Sequence, residues 1–266
     1  MAEEEMKMSF WGHLTELRKR IVYSVIAIGI GFMACFSYSE EILGFLLLPL
    51  NSAMTFHAAF PFFHFEPNKT NQDLYFTTLT EPIMSHLKIG FIAGIMVMVP
   101  VILYQVWKFI SPGLLPRERK YAGQFVFFAT LSFFAGVLFC FFLLLPFAVQ
   151  FLITYKTEHL KAIIKLSDYI DFTLKFMLGA GAVFELPLVM IILGRMGILS
   201  ADVLSRFRKY AFLVSFIIGG IVTPTPDVFN MTLMSLPIYF LYELGILGVR
   251  FFGKKRKPES GDLAET

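Results

Sequence analysis

The chain is 266 residues long, 56% hydrophobic and 16% charged, with 32 phenylalanines, more apolar surface than a water-soluble globule of this size can hide. Its 23 Lys plus Arg against 20 Asp plus Glu leave a formal net charge of +3, too small to draw a nucleic acid unless the charges are segregated. The 2 cysteines, Cys35 and Cys140, both sit inside apolar runs and support neither a disulfide framework nor a metal or cofactor site.

A helix that crosses the roughly 30 Å hydrocarbon layer needs about 20 mainly apolar residues, and six stretches come close to or meet that length. The first is residues 21–38, preceded by an amphipathic lead-in, SFWGHLTELRKRIVY at 9–23, where Leu14, Leu17 and Ile21 recur at helical spacing. In that lead-in Glu16 and Arg20 stand four apart in the order that favours an ion pair. Residues 41–50 and 58–65 are too short to cross; with Pro49 and Pro61 in them and histidines in or beside them, they suit an interfacial lid on one leaflet. The second stretch, 87–109, is followed by LLPRERKY at 114–121, where Glu118 lies between Arg117 and Arg119. A carboxylate among arginines stays ionised and can exchange those partners for an incoming guanidinium.

The third and fourth stretches are 121–145 and 169–193. In the fourth, GAGAVFELPLVMIIL, a bare Glu185 carboxylate costs about 3 kcal/mol even on the lenient insertion scale, and Pro187 bends the helix at the same depth. A wet or polar concavity beside Glu185 accounts for both. The fifth, 210–223, covers only about 20 Å at the standard rise, so it thins the bilayer or is sheltered. The sixth, 228–249, is taken with it as a pair of short spans. Pro100, Pro146 and Pro237 predict further kinks.

Clusters such as Arg18, Lys19 and Arg20, Arg117, Arg119 and Lys120, and Arg206, Arg208 and Lys209 fall on one side. Only Lys69, Lys156, Lys161 and Lys165 fall on the other. The positive-inside rule then puts both termini in the cytoplasm. Residues 1–250 form one membrane domain, and 251–266 a charged, disordered tail. No phosphate loop, zinc helix or nucleophile elbow is present in the sequence, so an enzyme is disfavoured. Glu185 and Glu243 are the deep carboxylates, without the partners an intramembrane protease needs.

At these residues the chain resembles the TatC family of twin-arginine protein translocase subunits. The motifs are HLTELRKRI at 13–21, LTEP at 79–82, PVILYQVWKFISPGL at 100–114, RERK at 117–120, FELP at 184–187, RKYAF at 208–212 and TPTPDVF at 223–229, covering essentially the whole chain to about Arg250. Two departures stand out: the TPTPD turn carries one extra residue, and Met231 stands where relatives often have a polar side chain. The resemblance implies an all-α, six-span, concave glove-like bundle with an outer cap, in the bacterial cytoplasmic membrane. It further implies a receptor for Arg-Arg signal peptides of folded precursors, which recruits the single-span partners TatA and TatB, forms a homo-oligomer in the receptor complex, and works with the proton-motive force. By position, Glu16 and Glu118 face the signal arginines, and Arg18, Phe109 and Leu114 shape that surface. Glu185 polarises the concave face, Thr223 and Asp227 mark the docking region for partner helices, and Pro49 holds the cap. The alternative, a proton-coupled small-solute secondary transporter, explains Glu185 and the kinks but not the paired cytoplasmic carboxylates.

Overall fold

The computed structural model describes residues 10–56, 63–67, 74–111, 122–155, 163–223, 225 and 227–253. The first helix, α1 (Phe10–Ser37), runs unbroken for 28 residues, so the amphipathic lead-in and the first apolar stretch are one rod. It packs along α4 (Glu81–Ile110). The two axes approach closely because glycines line the crossing: a Cβ on Gly94 would lie 2.6 Å from the Phe32 nitrogen, and one on Gly90 would lie 2.9 Å from Phe36 Cβ. Small residues four apart are how helices dock where no water drives them together.

Between these two helices lie the short α2 (Ser39–Leu46) and α3 (Leu48–Asn51), then a hairpin of β1 (Ser52–Phe56) and β2 (Phe63–Pro67), antiparallel with Met54 opposite Phe65. The run at 41–50 is therefore helical and too short to cross, and part of the run at 58–65 lies outside the described residues. Strands β3 (Leu74–Tyr75) and β4 (Ile164–Lys165) pair in parallel and bring two connections together at the same end.

Helix α5 (Ala122–Phe139) passes into a π-helical turn, Cys140–Leu144, and then α6 (Leu145–Thr154). Pro146 lacks an N–H and its ring crowds the preceding turn; the wider π turn, one residue per turn richer, accommodates both. Helix α7 (Leu166–Phe184) breaks at Glu185 and resumes as α8 (Leu186–Arg195) with Pro187 in its first turn. Then come α9 (Ala201–Arg206), α10 (Arg208–Val222) and α11 (Val228–Phe252). The main core gathers Ile89, Leu145, Ile170, Phe176 and Ala180, all essentially inaccessible, where α4, α5, α6 and α7 meet.

Five continuous stretches among the described residues are long and apolar enough to cross a membrane: Trp11–Ser37, Glu81–Ile110, Gly123–Thr154, Leu166–Arg195 and Val228–Phe252. Helix α10, at 15 residues, covers only about 22 Å at the usual rise and is the short one. One expectation is corrected here: the last span is not short. It runs 25 residues with Pro237 inside it, about 37 Å at the usual rise, and the window 228–249 alone already exceeds the roughly 30 Å layer; Arg250, Phe251 and Phe252 add a polar and aromatic end suited to an interface.

Candidate functional site

Antiparallel packing of α1 on α4 carries the start of one helix to the end of the other. Arg20 of α1 donates through Nη2 to Glu16 one turn earlier, and through Nη1 to Oε1 of Gln105 on α4 at 3.2 Å. Both members of the ion pair are mostly covered, with side chains 18% and 21% exposed for Arg20 and Glu16. The third donor edge of that guanidinium, Nε–H, is buried without an acceptor among the described residues. His13 stacks on Phe109 at 4.4 Å between ring centres, and Lys108 sits over the Tyr104 ring at 4.5 Å. Arg18 points out to the exterior. Glu16, Arg18 and Phe109 thus share one end of the helix pair, whereas Leu114 and Glu118 lie outside the described residues.

At the opposite end of α4, Glu81 is a carboxylate of another kind. It is 5% exposed and accepts the Thr77 N–H at 2.9 Å, the Thr77 hydroxyl at 3.2 Å and the Ser167 N–H at 3.0 Å, with Lys165 Nζ at 3.9 Å. These bonds tie the starts of α4 and α7 together. Nearby, the Tyr169 hydroxyl donates to the Leu46 carbonyl at 2.6 Å. Pro49 is buried in α3, which packs against α6. The α2–α3 segment is thus fixed from two sides.

Glu185 sits at the break between α7 and α8. Pro187 removes the backbone donor that would serve the Val183 carbonyl, and at the same break Ser132 Oγ of the neighbouring α5 donates to the Phe184 carbonyl at 2.7 Å. The close approach is set by Gly136, where an added Cβ would lie 2.8 Å from the Ala180 carbonyl oxygen. Glu185 Oε1 itself is buried with no hydrogen-bond partner among the described residues. Along the helical face that Glu185 shares with Ala182, Leu178, Lys175 and Asp171 lies a second polar group. Lys88 donates to both oxygens of Asp171 at 2.8 and 2.9 Å, and Lys175 approaches to 4.0 Å. In the sequence, the signal for this group was the four-residue spacing of Asp171 and Lys175.

The α10–α11 turn places the remaining candidates. Thr223 is buried and donates its hydroxyl to the Gly219 carbonyl at 2.8 Å. Asp227 caps α11, accepting the Asn230 N–H at 2.7 Å and the Asn230 amide at 2.9 Å. Partial burial works to raise its carboxyl, but the bonds from the Asn230 N–H, Thr225, the Asn230 amide and the Phe229 N–H prevail and hold it below the usual carboxylate range. Its charge favours the helix N-terminus as well. The Met231 carbonyl accepts the Ser235 hydroxyl at 2.5 Å. Beside the turn runs a groove of about 710 Å³ lined by Phe151, Leu152, Tyr155, Asp227, Phe229 and Thr232, walled by the Phe151–Phe229 stack at 4.0 Å. Glu243 is paired with Arg208 at 2.9 Å. No group of metal-binding side chains occurs among the described residues.

Three comparisons bear on this arrangement. The family model for "Sec-independent protein translocase protein (TatC)" matches residues 12–237. A Sec-independent protein translocase protein TatC of Koribacter versatilis is 40% identical over 270 residues, covering 100% of this chain and 95% of that one. That of Carboxydothermus hydrogenoformans is 37% identical over 259 residues, covering 97% and 99%. A crystal structure of a twin-arginine translocase receptor, TatC, superposes with a TM-score of 0.75 at 32% identity, covering 90% of this chain and 98% of that one.

Proposed function

Because the chain belongs to the TatC family of Sec-independent protein translocase proteins, and is a multi-pass membrane protein of that non-enzymatic transport family, we propose that it is the receptor subunit for twin-arginine signal peptides. In this reading six helices cross the bacterial cytoplasmic membrane, α10 among them, in a concave glove-like bundle with both termini inside and the α2–β2 cap outside. Glu16 and Glu118 meet the signal arginines, Arg18, Phe109 and Leu114 shape the surface around them, and Glu185 polarises the concave face. Thr223 and Asp227 mark where the single-span partners TatA and TatB dock, transport draws on the proton-motive force, and several copies join in the receptor complex.

The observation that carries the reading is the covered Glu16 carboxylate, held by a guanidinium at a helix end beside the His13–Phe109 stack. A fully exposed ion pair contributes only about 0 to 1 kcal/mol, too little to select one motif among many basic segments. A partly desolvated carboxylate already matched to a guanidinium has both the strength and the geometry to do so. Photo-crosslinking from positions 16 and 118 to a folded precursor with an Arg-Arg signal peptide tests it. Adducts that vanish when the arginines are replaced are expected; adducts indifferent to them overturn the assignment.

A further inference from the structure

Glu16 is occupied before any ligand arrives. Its partner Arg20 lies one turn away on the same helix and has a second, neutral acceptor in Gln105 on α4. We propose that Arg20 is a specificity gate for the binding event described above: an internal stand-in that holds Glu16 until an incoming guanidinium replaces it, with Gln105 as the acceptor that retains Arg20 during the exchange. The inference rests on the receptor reading and adds to it the residue that sets which cation is accepted.

A carboxylate 21% exposed cannot be left bare cheaply, since desolvation has already removed most of its water. Any ligand cation is therefore compared with a guanidinium and not with solvent. An arginine replaces like with like, a guanidinium N–H for the single Nη2 contact to Glu16 Oε1 that is given up, and its planar fork offers a second donor to the same carboxylate. A lysine returns a single compact ammonium that does not reproduce the fork, so the exchange runs at a loss. Specificity then comes from what must be displaced as much as from what is gained.

Two observations make the exchange feasible. Gln105 already accepts Nη1 at 3.2 Å, so Arg20 leaves Glu16 without losing every partner. Its Nε–H is buried and unpaired among the described residues, so the resting arrangement is not one in which every donor is satisfied, and it binds the guanidinium less firmly than a complete set would. The His13–Phe109 stack beside it limits the room in which a mismatched cation could find another pose.

The test uses the full-length chain in phospholipid nanodiscs, with signal peptides carrying Arg-Arg or Lys-Lys, and reads the ratio of their dissociation constants. Wild type is expected to favour the Arg-Arg peptide by about tenfold or more. In R20Q the Lys-Lys peptide gains about tenfold while the Arg-Arg peptide changes little, so the ratio collapses toward one. R20K keeps a cation beside Glu16 without the fork, guards against misfolding of R20Q, and is expected to lower the ratio partway. Q105L removes the acceptor to which Arg20 retreats and weakens both peptides together; unchanged affinities take Gln105 out of the gate. E16Q separates the two levels. If E16Q binds the Arg-Arg peptide as wild type does, the receptor site falls and the gate with it. If E16Q loses binding while R20Q and R20K keep the wild-type ratio, the gate alone is overturned.

Discussion

Helix α4 joins a carboxylate network near each of its ends, through its own Glu81 at one and through the Gln105 amide on Arg20 at the other, and the two networks differ in completeness. At Glu81 every donor that reaches the carboxylate is a fixed N–H, a hydroxyl or a lysine at its edge, and the group is 5% exposed. At Glu16 the guanidinium is shared with Gln105 and keeps one donor edge unpaired. A saturated buried network rigidifies what it joins, whereas an unsaturated one is poised to change partners. The first organises the molecule; the second is available to a ligand.

Substituting the two carboxylates in turn separates the networks most clearly. E81A strands the Thr77 and Ser167 N–H groups and severs the α4–α7 tie, so the largest fall in melting temperature of the set is expected, in a thermal scan of the purified protein. E16Q is expected to weaken binding of an Arg-Arg peptide by about tenfold or more, as loss of a charge-assisted bond dictates, with the melting temperature nearly unmoved. The reverse pattern would dissolve the distinction.

Two further substitutions have smaller effects. D227A removes the cap of α11 and is expected to cost about 1 kcal/mol. The Asp227 carboxyl sits below its unfolded value, so its contribution is complete above the ordinary aspartate range and is lost as pH falls through the depressed folded value. The stability gap between wild type and D227A should therefore close in acid and stay constant near neutrality. S132A strips the Phe184 carbonyl of its interhelical donor, and about 0.6 kcal/mol is expected, the mean for such bonds between membrane helices, read from unfolding in mixed micelles.

The helical stretches were legible because length and apolar composition suffice for them, and the Glu16–Arg20 pair because a four-residue spacing is a local signal. What escaped notice depended on distance along the chain. Arg20 finds Gln105 85 positions away, Lys88 finds Asp171 83 away, and Ser132 finds the Phe184 carbonyl 52 away; no window of sequence contains both partners. The Glu243–Arg208 pair escaped for the same reason, its members standing on two helices. Pro187 did announce the break beside Glu185, but not the hydroxyl that repairs it. The reach of the final helix to Phe252 was hidden because its last turn leaves the apolar pattern that marks a span.

The π turn at Cys140–Leu144 acts as an indexing notch for everything after it. Each α-helical residue advances the side-chain direction by about 100°, so absorbing one surplus residue there decides which way the lower half of the rod faces. That half carries Phe151, and the Phe151–Phe229 stack is a readout of the notch. Deleting a single residue from Cys140–Leu144 lets the rod close into regular α-helix and swings Phe151 away from Phe229, and the 10 residues of α6 turn with it as one piece. The aromatic wall of the groove is thus keyed by an insertion more than two turns distant, and a one-residue frame shift would rotate it out of place while leaving its own sequence intact.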